Sequence, residues 1–219
     1  MFLRFLIAEG KCSPGLDAAV PIVASWRLSA LPRYLPPSDV ESILNSCDLS
    51  TPLGLRDRAI LILLARLALR AGDIVDLKLD DIDWSRSTIR VSGKARKEVQ
   101  LPLTQEVGDA IYEYLSKGRQ AYEGDHLFIR ALAPLRPFTS QAVSTIVLRA
   151  IRRAGVRSSC CGAYVLRHSA ATQMLRQGAS LNEIGSVLRH RSITTTAIYA
   201  KVDLALLQFV TQPWPEVMS

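Results

Sequence analysis

Lysine is scarce in this chain: of 27 Lys and Arg residues, 6 are lysine and 21 arginine. Histidine is scarcer, with His126, His168 and His190 alone, and the four cysteines are Cys12, Cys47 and the adjacent pair Cys160 and Cys161. Neighbouring cysteines do not readily bridge each other and no C-x-x-C spacing occurs, which excludes a disulfide framework and a zinc module. A reducing cytoplasm suits such cysteine usage. Long uninterrupted apolar runs are also missing. "AILILLARLAL", 59–69, is broken by Arg66 and reads as a buried core helix, not a membrane span. "MFLRFLIAEG" carries Arg4 and Glu9 and is too short for a secretory signal or a span. There is no internal repeat and no low-complexity tract.

What the chain does have is ordinary globular composition over 219 residues, 48% hydrophobic and 21% charged, with a net charge of +7. That length supports a sizeable core in one or two domains. A sequence pI of about 9.5 favours polyanions, either nucleic acid or an acidic membrane face. An arginine excess adds a planar fork that meets phosphate bidentately and keeps its charge when partly desolvated. GC-rich codon usage produces the same excess, so composition leaves both explanations open.

Along the chain, residues 1–10 read as a short amphipathic helix. Residues 11–37 hold five of the eleven prolines and read as a linker. Ser38 and Glu41 have capping-box spacing before "VESILNSC". A buried helix is expected over 55–69 and a helical turn over 73–77. "STIRVSG" and "EVQLPL" alternate on either side of "GKARK", the pattern of a β-hairpin. Further helices are expected near 104–117, 139–154, 164–177, 180–188, 192–200 and 203–210. The fold class is mainly α with a small antiparallel sheet (α+β).

Several residues stand where chemistry is plausible. Tyr164 and Arg167 are three apart and share a face at the start of a helix, where free N–H groups and the dipole favour an anion. Arg70 ends a buried apolar helix and needs a partner; Asp73, three residues on, is the expected anchor for its guanidinium. Lys94 sits at the hairpin tip after Gly93, able to reach a docked substrate, with Lys97 as a rival. Each also has a plain structural explanation: a solvated arginine, a salt bridge, a turn lysine.

Taken together, Arg70, Lys94, Tyr164-x-x-Arg167, His190 and Tyr199 resemble the tyrosine recombinase family, of the phage integrase and Xer type. "LRHSAATQMLRQGASLNEIGSVLRHRSITTTAIYAKV" resembles its C-terminal signature. "ALRAGDIVDLKLDDID" resembles the box around its first arginine, and "SGKARKEVQLPL" its lysine hairpin. Within that pattern Tyr164 stands where His is most frequent, Asp73 where Glu is, and Ala68 where Gly is common. The resemblance covers about residues 33–210. It implies a metal-free and ATP-free reaction on double-stranded DNA, with no cofactor. Arg70 and Arg167 would hold a phosphate. Tyr199 would attack it to form a 3′-phosphotyrosyl bond, with His190 assisting and Lys94 protonating the leaving 5′ oxygen. His168 would be a supporting residue.

The resemblance further implies a catalytic domain over 36–219, with 1–35 as the remnant of an N-terminal core-binding domain and its linker. It implies a homotetramer on DNA, joined through the tail "LALLQFVTQPWPEV" docking on a neighbour, although packing within one chain fits that tail equally. The protein would be cytoplasmic and nucleoid-associated when bound. Because "ITTTA" is polar, Tyr199 is expected on a mobile, water-tolerant segment, not in a core. Three rivals remain at this level. "SITTTAIYA" could be the reader helix of a non-enzymatic helix-turn-helix regulator. The chain could relax DNA like a type IB topoisomerase, or keep the fold without activity.

Overall fold

The computed structural model describes residues 2–16, 32–92, 98–158, 162–190 and 192–202. The chain divides into two compact units, Met1–Ala30 and Leu31–Ser219. In the first, Phe2–Ala8 forms α1. Among the described residues no helix is long and apolar enough to cross a membrane.

In the second unit, α2 (Pro37–Asn45) opens with a proline at its first position, where a missing N–H costs nothing and the fixed φ suits the first turn. The expected capping box does not form. Pro36 takes the N-cap position, and its side chain has no acceptor. Glu41 instead pairs with Arg66 of the next helix at 2.7 Å, and Arg66 also holds Glu106 at 2.7 Å.

Helix α3 (Pro52–Arg66) starts at Thr51, whose hydroxyl accepts from the Gly54 N–H at 3.0 Å. Ala59 through Ala65 are all buried, as befits a helix apolar all round. Each buried Leu or Ile there stabilises by about 1.5–3 kcal/mol. The apolar run continues to Leu69, but the helix does not. Ala68 adopts a left-handed φ of 51°, the conformation glycine favours, and the chain turns to deliver Arg70 to the start of α4 (Ala71–Asp76).

The hairpin forms as the alternation predicts. Strands β2 (Thr88–Ser92) and β3 (Glu98–Pro102) pair antiparallel with Ile89 opposite Leu101 and Val91 opposite Val99. Ile89, Val91 and Leu101 face the core. A two-residue strand, β1 (Ile82–Asp83), adds to β2; it is too short to show a period in sequence. The hairpin tip, with Lys94 and Lys97, lies outside the described residues, as does the expected helix 203–210.

Helix α5 (Gln105–Glu113) runs into a wide turn at Tyr114–Gly118. Next come α6 (Ser140–Arg153), α7 (Ala163–Arg176), α8 (Leu181–Val187) and the single turn α9 (Ile193–Thr196), which tightens into a 3₁₀ helix over Ala197–Val202. Helix α7 separates two apolar clusters. Its Val165 and Leu166 join the main core of α2, α3, α6 and the sheet. Its Ala171 and Leu175 join a smaller cluster with Ala68, Ile184, Leu188 and Tyr199.

Candidate active site

Arg167, in the second turn of α7, is 1% exposed. Its guanidinium donates to the carbonyls of Ala68 and Leu188. Two neutral carbonyls are modest compensation for a buried cation. Burial first, then the nearby charges of Arg70 and Arg189, push its pKa down to about 10. It remains charged at neutral pH, in surroundings that would gain from an anion. Arg70, half-buried at the N-cap of α4, donates through Nη2 to Leu188 at 3.1 Å and to Arg189 at 3.2 Å, both carbonyls. The two arginines thus converge on one carbonyl oxygen.

Asp73 takes a different partner from the one anticipated. Its carboxylate accepts from the backbone N–H of Arg70 at 2.7 Å and forms an ion pair with Arg189. A carboxylate at the third position of a helix is well placed to reach back to the N-cap amide. That geometry caps α4 and leaves the Arg70 guanidinium free for the loop after α8.

Nothing in the sequence pattern singles out Arg189. Helix α8 starts in a capping box, Ser180 with Glu183. It ends in a Schellman turn, in which the N–H of Arg189 bonds the carbonyl of Ser186 at 3.0 Å and that of His190 bonds Gly185 at 2.9 Å. Arg189 occupies the left-handed position of that turn, at φ 52°, where glycine is the usual residue. A non-glycine residue there costs on the order of 1–3 kcal/mol. The turn presents the Leu188 and Arg189 carbonyls to the arginines and sends His190 onward.

His190 is half-buried, with Nδ1 at 2.9 Å from the Thr196 hydroxyl. Burial, followed by the charges of Arg167 and Arg70, lowers its pKa to about 4. The ring is neutral at pH 7 and, with no anion bound, resists protonation. Thr196 is itself fully buried and packs on Gly185, where an added Cβ would meet its hydroxyl at 3.0 Å.

Tyr199 is 1% exposed, contrary to the expectation of a water-tolerant segment. Its ring fills the smaller cluster and its hydroxyl lies 2.7 Å from Nδ1 of His168. Burial and the neighbouring Tyr164 push the phenol pKa up, against the field of Arg167. His168 is held neutral, its pKa driven down to about 4 by burial and by Arg167. The phenol and Nδ1 share one hydrogen bond whose direction follows the imidazole tautomer. Tyr164, in the first turn of α7 and largely exposed, stacks edge-on against His168 with centroids 4.1 Å apart. The polar "ITTTA" turn is compatible with burial because Thr196 finds a partner in His190.

The structure thus brings Arg70, Arg167, His168, Tyr164, His190 and Tyr199 around one end of α7. Lys94 is the site residue that lies outside the described residues. Arg189, Thr196 and the Leu188 carbonyl are the additions. The sequence signal for Arg189 was weak: an arginine just past a helix end reads as solvated.

Residues 33–205 match the family model described as "Phage integrase family". The chain is 46% identical over 215 residues to y4rA of Sinorhizobium fredii, an integrase/recombinase by name; the match covers 98% of this chain and 52% of y4rA. It thus spans about half the length of that relative. It is 34% identical over 214 residues to the tyrosine recombinase XerD of Listeria innocua, covering 95% of this chain and 70% of XerD. Among solved structures, the XerH site-specific recombinase bound to palindromic difH substrate superposes with a TM-score of 0.70 at 26% identity, over 82% of this chain and 52% of XerH. The chain belongs to the phage integrase family, and its fold is that of a tyrosine recombinase catalytic domain.

Proposed function

We propose that the chain is a site-specific DNA recombinase that cuts and rejoins strands through a 3′-phosphotyrosyl intermediate, without metal or ATP. The observation that carries this reading is the shared acceptor of Arg70 and Arg167, the Leu188 carbonyl, with Tyr199 in the same apolar cluster as Leu188. A backbone phosphate entering that hollow would replace carbonyl partners with anionic oxygens, which guanidinium groups bind more strongly. The oxygen of Tyr199 would attack phosphorus, the bond to the 5′ oxygen would break, and the phenolic proton would pass to His190, whose basicity would rise once an anionic phosphate offsets the charges of Arg167 and Arg70. Lys94 would protonate the leaving 5′ oxygen. Each phosphate-stabilising donor contributes roughly 10²–10³ in rate, and a positioned acid about 10²–10⁴. The new ester conserves the energy of the old one, so rejoining needs no nucleotide.

Tyr199 cannot meet a phosphate where it now lies, because its cluster excludes solvent. The reading therefore includes an outward shift of the segment 193–202. Double-stranded DNA is the proposed partner, supported by the XerH complex with its difH substrate. A tetramer on DNA, joined through the tail beyond residue 202, completes the proposal. The helix-turn-helix rival fares worse: α9 is four residues long, and Thr196 and Tyr199 point inward.

The test is a nicked duplex incubated with the protein and resolved on a denaturing gel. The proposal expects a covalent protein–DNA adduct that survives chelator and is lost in Tyr199→Phe. A wild-type protein that forms none, or an adduct that persists in Tyr199→Phe, would overturn it.

A further inference from the structure

We propose that Arg189 is a third phosphate ligand of this site, completing a guanidinium cluster matched to the charge of the reacting state. The proposal rests on the recombinase reading above and adds a residue to it.

Three observations converge on Arg189. Its backbone holds a left-handed conformation that glycine would adopt without strain, so the side chain is retained against a local cost. That side chain is 6% exposed and forms an ion pair with Asp73 through Nη2. Its Nε and Nη1 are buried and find no acceptor among the described residues. A guanidinium with spare buried donors is an incomplete hydrogen-bonding arrangement. Finally, Arg189 lies in the phosphate hollow: its charge depresses Arg167 and its carbonyl accepts from Arg70.

Charge gives the arrangement its purpose. Three guanidinium groups gather here, Arg70 and Arg167 on the Leu188 carbonyl and Arg189 on Asp73, whose carboxylate is the one paired with the cluster among the described residues. The excess is two positive charges. A phosphodiester carries one negative charge, and a phosphodiester under attack by a phenolate carries two. The cluster balances the reacting state and over-balances the resting one, which is the condition for stabilising a transition state more than its substrate. Asp73 keeps Nη2 throughout and aims the guanidinium. The spare donors take a non-bridging oxygen. A purely structural strap between α4 and the α8 turn would need the Asp73 bond alone and would leave those donors unused.

Glycine suits the backbone at 189, so Arg189→Gly should fold. Asp73→Asn/Arg189→Gly removes the carboxylate left behind. Adduct formation is followed in single turnover at saturating nicked duplex, and duplex affinity is measured across salt. The expected result is a rate loss of about 10²–10³ for both variants, with the salt slope of binding falling by about 0.9, one phosphate contact. On a duplex with a methylphosphonate at the scissile position, where the charge that Arg189 answers is gone, the defect should shrink. The proposal is overturned if either variant matches wild type, or if the loss is equal on phosphate and methylphosphonate. Absence of any wild-type adduct would instead sink the recombinase reading, and this inference with it.

Discussion

The guanidinium groups of Arg70 and Arg167, carried on different helices, donate to the same carbonyl oxygen, that of Leu188. They differ in burial, and that separates their mutants. Arg70→Ala removes a half-buried side chain while Leu188 keeps its bond from Arg167, so stability should fall by well under about 1 kcal/mol. Arg167→Ala leaves the buried carbonyl of Ala68 unpaired, at about 1–3 kcal/mol, while Leu188 keeps its bond from Arg70. Both should lose roughly 10²–10³ in adduct rate. Thermal melts set beside single-turnover rates check the split; equal melting losses would contradict the burial argument.

Much of this site was legible because its residues come in short, spaced boxes, and the helices that carry them have strong periodic patterns. Arg70, Arg167, His190 and Tyr199 fall where those boxes place them. The failures have a common physical origin, which is that local spacing does not report long-range partners. The three-residue separation points Asp73 at the Arg70 guanidinium, yet it pairs with Arg189 from the other end of the domain. Ser38 and Glu41 have the spacing of a capping box, but Pro36 and Pro37 start the helix without it. The threonines around Tyr199 read as a water-tolerant segment, whereas Thr196 is buried and bonded to His190. The left-handed turn at Arg189 leaves no mark in the sequence at all.

Acid should destabilise the site in a defined window. His168 and His190 both have folded pKa values lowered to about 4, from an ordinary 6.5. Between those values the unfolded chain binds protons that the folded chain refuses, so stability falls as pH drops from 6.5 towards 4 and is flat above 6.5 on their account. Urea midpoints measured across that range should decline, and His168→Asn should flatten the decline by one proton. A decline unchanged in that variant would show that His168 is not the group responsible.

The Thr196 hydroxyl orients His190, and Gly185 gives Thr196 its room. Thr196→Val keeps the shape and deletes the hydrogen bond, a loss of about 1 kcal/mol. Gly185→Ala pushes a methyl group towards the same hydroxyl. In both variants the His190 ring loses its fixed orientation, so adduct rate should drop at least several-fold while duplex affinity is unchanged. Imidazole nitrogen chemical shifts would report the change directly: the Nδ1 signal of His190 should move in Thr196→Val. A drop in affinity with an unaltered rate would assign these residues to DNA binding instead.

Burial of the nucleophile implies that opening precedes chemistry. Tyr199 is held in the apolar cluster that includes Ile184, Leu188 and Leu175 and by one hydrogen bond to His168. Tyr199→Phe should cost about 1 kcal/mol of stability, whereas Tyr199→Ala should cost about 3–5 kcal/mol through the cavity it leaves; neither forms adduct. Leu175→Ala is the more informative change. It loosens the cluster, at about 2–5 kcal/mol, without touching the phenol, the arginines or His190. If release of the tyrosine limits the rate, this variant melts earlier yet forms adduct faster than wild type on a nicked duplex, compared below both melting points. Hydrogen exchange over 197–202 should accelerate in parallel, since the same opening exposes those amides. A slower adduct rate, with exchange accelerated, would mean that the closed cluster positions Tyr199 for attack rather than withholding it.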